Sequence, residues 1–147
     1  MNLKHIVKKV LVKLRWRRAV KRLGAIKDYS GIHFLGKFVN PQCIYIGKNP
    51  VIARGFLLSA FTNYGSNKYT PRLIIGDNFW ARDNLSIMCA GEIIIGDNCT
   101  FAKDIFITDL NHGLDPTTLS YKLNPLEEKE VRIGNGCWIG EKVCIMP

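Results

Sequence analysis

The sequence predicts an all-β solenoid, its parallel strands wound into three-sided coils, with one amphipathic α-helix in front. Three observations predict it. A six-residue unit, opened by isoleucine or another apolar residue, recurs along most of the chain. Four stretches built from this unit align with one another coil for coil. The whole excess of positive charge lies ahead of them, in the first 22 residues.

The leader comes first. Residues 1–22 hold nine of the 21 lysines and arginines and no acid, and the remaining twelve basic residues match the twelve acidic ones, so the rest of the chain is neutral. Leu3, Ile6, Val7, Val10, Leu11 and Leu14 recur at steps of three and four, the spacing of one helical face, and Gly24 offers a stop. Charges interrupt any apolar run, which argues against a secretory signal. Two readings of the leader stand side by side. Its helix lies on an anionic membrane surface, or it packs on the body or a partner subunit with its charges in water. Nucleic acid is not an expected partner, because the body carries no net positive field.

The repeats follow. "IGKNPVIARGFL", "IGDNFWARDNLS", "IGDNCTFAKDIF" and "IGNGCWIGEKVC" each open on Ile-Gly and place Asn or Gly three residues after the isoleucine. The leads of the hexads are Ile46, Ile52, Leu58; Ile75, Ala81, Ile87; Ile95, Phe101, Ile107; and Ile133, Ile139, Ile145. A helix of 3.6 residues per turn cannot hold every sixth residue on one face. A chain that runs straight, turns and repeats can, and three straight faces make a coil of about eighteen residues. The leads then point inward and stack, together with Phe79, Leu85, Cys99, Ile105, Cys137 and Val143. Asn and Gly take the left-handed conformation at the turns.

Departures from the period mark insertions. Ile46 to Ile75 is 29 residues, so "YGSNKYTPRLI" bulges out; Ile75 to Ile95 is 20, with its surplus near "CAGEI". Ile95 to Ile133 is 38, which extrudes residues 113–132 directly after His112. A long loop in a solenoid is more often functional than incidental.

"TDLNHG", followed by a coil opening "IGNGCWIG", resembles the hexapeptide-repeat acyltransferases, whose fold is the left-handed parallel β-helix. The likeness covers residues 44–147 and is strongest to the branch that O-acetylates sugars: maltose, galactosides, and O-antigen, capsule or exopolysaccharide units. It implies a homotrimer with acetyl-CoA as donor in a groove between subunits, and a carbohydrate acceptor, in the polysaccharide branch lipid-linked. It makes His112 the general base, a role suited to a side chain that titrates near neutrality. Asn84 matches a position that contacts the acceptor, and Trp138 an aromatic at the cleft. Asp109 and Asn111 flank the base and either orient the imidazole or shape the loop.

The organisation read from this is a helix over 1–24 and a β-helix domain over 25–147, with its excursion at 113–132. Relatives run on past such a "CIMP" ending, so the chain is read as missing its last coil or coils and their cap. The resulting expectation is an acetyl-CoA-dependent sugar O-acetyltransferase, cytoplasmic, peripheral at the inner face of the cell membrane. The alternatives are N-acetylation of an amino sugar and a catalytically inactive truncated scaffold of the same fold. Five cysteines without a C-x-x-C pair, and a single histidine in the repeats, give no expectation of disulfides or a metal.

Overall fold

A computed structural model describes residues 3–26, 28–118 and 120–147, the first seven of them as backbone only. The chain forms the expected left-handed β-helix, preceded by a helix, α1 (Leu3–Val20). Three parallel sheets make the faces of the prism. The first stacks Ala25–Ile26, Ile44–Ile46, Arg72–Ile75, Glu92–Ile95 and Val131–Ile133. The second stacks Val51–Ile52, Trp80–Ala81, Thr100–Phe101 and Trp138–Ile139, with Ile32 bridging to Ile52. The third stacks Lys37–Val39, Leu57–Ala60, Ser86–Cys89, Phe106–Thr108 and Cys144–Ile145.

Inward leads pair with inward leads throughout. Ile46, Ile75, Ile95 and Ile133 are successive partners on the first face. Ile52, Ala81, Phe101 and Ile139 are partners on the second, and Leu58, Ile87, Ile107 and Ile145 on the third. Most of these side chains are fully buried, and Phe79 meets Phe101 edge to face at 4.9 Å. Each fully buried Leu, Ile or Phe adds about 1.5–3 kcal/mol, so the stack of leads, not local propensity, holds the prism.

The corners explain the Ile-Gly-Asp-Asn signature. Asn49, Asn78 and Asn98 all have positive φ, with Gly136 at the same place in the last coil, and the asparagine amides hydrogen-bond up the corner at 3.0 and 2.9 Å. The glycines after Ile46, Ile75 and Ile95 serve a different need. At Gly76 an added Cβ would collide with Asp97 Oδ1, the oxygen that accepts the Asp77 N–H at 2.7 Å. Close approach between coils excludes a side chain there.

Five coils are present where the repeats predicted four. The additional one is the first, with Ile26, Ile32 and Phe38 six residues apart and paired with Ile46, Ile52 and Leu58. Against it sits the end of α1, with Val20 buried and Trp16 and Ala19 packed on the core. The helix stops at Val20, not at Gly24. Gly24 instead docks on the second coil, donating to the carbonyls of Pro41 and Ile44, where a Cβ would collide with the Gln42 carbonyl. The side chains of Leu3, Ile6 and Val7 lie outside the described residues. No described helix is long and apolar enough to cross a membrane.

Candidate active site

Two insertions leave the prism at the corner between the third and first faces. Residues 61–71 form the earlier one, with a small hairpin pairing Asn63–Tyr64 with Asn67–Lys68. The later one leaves as Leu110–His112, runs through residues 113–125, and returns as Leu126–Glu128 antiparallel to it, with His112 opposite Leu126. Asn124 ties this loop closed. Its buried amide donates to the Gly113 carbonyl and its oxygen accepts from Thr118 Oγ1 at 2.7 Å, while Gly113 N–H donates to Pro125 at 2.9 Å.

His112 is the meeting point. Tyr64 of the first insertion lies edge to face on its imidazole at 5.2 Å, and Tyr121 of the second does so at 4.9 Å. Nδ1 is buried and has no hydrogen-bond partner among the described residues. A buried imidazole nitrogen without a partner is uncommon in folded proteins. The imidazole is thus packed between two rings contributed by different insertions.

The other expected site residues are placed as follows. Asp109 is fully buried, and its carboxylate turns inward: Oδ1 accepts Ala90 N–H at 2.8 Å and Oδ2 accepts Gly91 N–H at 2.9 Å. It also lies 3.3 Å from Cys89 Sγ, whose thiol is pushed far up by burial first and by the Asp109 charge second. Of the two roles open to Asp109, the one with contacts present is bracing the chain. It holds the "CAGEI" corner of the coil below and makes no hydrogen bond to His112. Asn111 is exposed on the outgoing strand, opposite Glu127.

Asn84 sits at a different corner, between the second and third faces, at φ 66° with its amide on Asp104 Oδ1 at 2.7 Å. Trp138 stands on the outer side of the second face in the last coil, 74 % exposed, in the row that contains Trp80 and Val51. One chain therefore does not bring His112, Asn84 and Trp138 together. Among the described residues no group of three His, Cys, Asp or Glu side chains could hold a metal ion. Tyr64, Tyr121, Tyr69 and Asn124 are the site residues that sequence reasoning missed. Its one signal for them was that both insertions leave the same register of the repeat.

No protein-family model matches the chain, and no solved structure matches it significantly. Several curated relatives do. A putative acetyltransferase of Saccharomyces cerevisiae is 39 % identical over 59 % of this chain and 41 % of its own length. The putative lipopolysaccharide biosynthesis O-acetyl transferase WbbJ of Escherichia coli is 30 % identical over 74 % of this chain and 55 % of its own. The galactoside O-acetyltransferase of the same organism is 33 % identical over 59 % and 39 %. The chain thus spans about half the length, or less, of the curated relatives it matches.

Proposed function

We propose that this chain, a member of the hexapeptide-repeat acetyltransferases, takes its chemistry from this corner and moves an acetyl group from acetyl-CoA to a sugar hydroxyl with His112 as general base. The observation that carries this is the imidazole held between Tyr64 and Tyr121 where the two insertions converge. A sugar hydroxyl is a weak nucleophile at neutral pH. His112 takes its proton as the oxygen attacks the thioester carbonyl, the carbon–sulfur bond breaks, and the imidazolium returns the proton to the departing thiolate. No covalent enzyme intermediate is needed. Such a base contributes about 10²–10⁴-fold.

Asn84 and Trp138 complete the site from a neighbouring copy, which requires a homotrimer with acetyl-CoA and the acceptor in the groove between subunits. The exposed pair Trp80 and Trp138 on the second face supports such a contact. So do Leu114, 89 % exposed, and Leu123 on the long insertion. Asp109 fixes the corner from which the base projects, and Asn111 lines its approach. Relatives named for lipopolysaccharide biosynthesis and for galactosides support a carbohydrate acceptor, here a polysaccharide precursor on a lipid carrier. The protein then works in the cytoplasm at the inner membrane face, held there by residues 1–22.

The test is acetyl transfer from acetyl-CoA to panels of sugars and amino sugars by wild-type and His112→Ala protein. O-acetylated product, lost about 10²–10⁴-fold in the variant, is the expected result. Equal turnover by both proteins overturns the assignment of the base. Transfer to amino sugars alone overturns the hydroxyl acceptor.

A further inference from the structure

We propose that the cleft between α1 and the first two coils binds the phosphate of an anionic lipid headgroup while α1 lies on the bilayer. This rests on the membrane contact proposed for residues 1–22, not on acetyl transfer, and concerns the end of the prism on which α1 packs.

The helix has two different apolar sides. Trp16, Ala19 and Val20 are spent on the solenoid. Val10, Leu11 and Leu14, roughly opposite them at 100° per residue, are 51 %, 51 % and 45 % exposed. Val10, Leu11 and Leu14, the described part of the leader's apolar stripe, are therefore not what packs on the body. Lys13 and Arg17, one turn apart, run along the edge between the two sides and line a cleft of about 480 Å³.

The cleft is furnished with donors. Lys13 Nζ stands 5.0 Å over the Phe34 ring, on which His33 stacks at 4.8 Å. His33 Nδ1 accepts the Leu35 N–H at 3.1 Å, which leaves Nε2 to donate. No acidic side chain lines the cleft, and Asp28 beside it holds both oxygens on Ser30, at 2.8 and 2.9 Å. Lys13, Arg17 and His33 line one cleft with no carboxylate among its described lining residues, and so suit a phosphate, which only accepts. A lipid phosphate is favoured over a free one because the open apolar ridge adjoins the cleft. The same helix also carries Arg15 and Arg18 and no acid, the pattern of a helix lying on an anionic surface.

The full chain is sedimented with vesicles of phosphatidylcholine with and without phosphatidylglycerol. Binding is expected only with phosphatidylglycerol. Arg15→Gln/Arg18→Gln, which removes two surface charges, should weaken it about thirtyfold, and Lys13→Gln/Arg17→Gln, which removes equal charge and the cleft contacts as well, at least about tenfold more. Equal loss in both pairs, or no loss in the second, overturns the cleft and leaves the membrane contact standing. No binding by wild type overturns both. Saturable binding of inorganic phosphate with no vesicle binding gives the cleft to a free anion and overturns the lipid. Vesicle binding lost in Val10→Ser/Leu11→Ser/Leu14→Ser, with unfolding midpoint kept, supports the ridge. An oligomer lost in that variant, with vesicles never bound, assigns the ridge to a second copy and overturns the proposal.

Discussion

Tyr69 engages both backbone groups of Leu126: its hydroxyl accepts the Leu126 N–H at 2.7 Å and donates back to the Leu126 carbonyl at 3.4 Å. Leu126 is the cross-strand partner of His112, so a residue of the first insertion fixes the second at the rung that bears the imidazole. Tyr69→Phe removes both bonds and leaves a donor at a buried residue unpaired, a loss of roughly 1–3 kcal/mol. The loss falls on the insertion, not the prism. Amide exchange at Leu126 and Gly113 should accelerate and acetyl transfer should fall, while exchange at Ile87 and Ile107 stays slow.

Asp109→Asn separates bracing from orienting. The substituted amide can accept only one of the Ala90 and Gly91 N–H groups that the carboxylate accepts now. Its own NH₂ would face the other, at a cost of roughly 1–3 kcal/mol. Urea denaturation should show that drop, with turnover reduced only as far as the corner loosens and the pH–rate profile unmoved. A shifted pH–rate profile at unchanged stability would instead assign Asp109 to the imidazole.

Much of the prism was legible because its cause is periodic. The aligned leads Ile75, Ala81 and Ile87 pair with Ile95, Phe101 and Ile107 in the register in which the repeats align. The first coil was missed because it keeps the six-residue step but lacks Ile-Gly, with "IKDYSG" standing where the other coils read "IGKN", "IGDN" or "IGNG". The site was half legible. His112 could be found from its place before an insertion, but its ring partners could not. Tyr64 and Tyr121 lie 57 residues apart in sequence, on segments without a period, and only the docking of one loop on the other brings them to the imidazole. Asp109 left both of its readings open for a related reason: it lies in the bend between Phe106–Thr108 and Leu110–His112, and nearness to His112 in sequence does not say which way the carboxylate turns.

The buried thiol of Cys89 sets an alkaline limit. Burial and the neighbouring Asp109 raise it well above its ordinary value of 9.0, while in the unfolded chain it ionises near that value. The stability it contributes is complete below about pH 9 and is lost as pH rises from there toward the folded value, by at most about 1.4 kcal/mol per pH unit. Denaturation midpoints measured from pH 8 to 10 should fall, and more gently in Cys89→Ala. In native protein below pH 9, alkylation should reach exposed Cys144 and spare Cys89.

Tyr64 and Tyr121 should differ in kinetic effect, because they hold the imidazole from differently exposed sides. Tyr121 is 57 % exposed and offers its free surface to whatever approaches His112. Tyr121→Ala should raise the KM for the sugar about three- to tenfold, the equivalent of an aromatic contact of about 0.5–1.5 kcal/mol, and Tyr121→Phe should restore it. Tyr64 is half-buried and meets the same ring from the other insertion. Its removal frees the imidazole to rotate, which should lower kcat about tenfold or more with KM little changed. Steady-state kinetics with the acceptor varied at saturating acetyl-CoA separate the two. If Tyr64→Ala changes KM alone, the ring contacts the sugar and the clamp is not what positions the base.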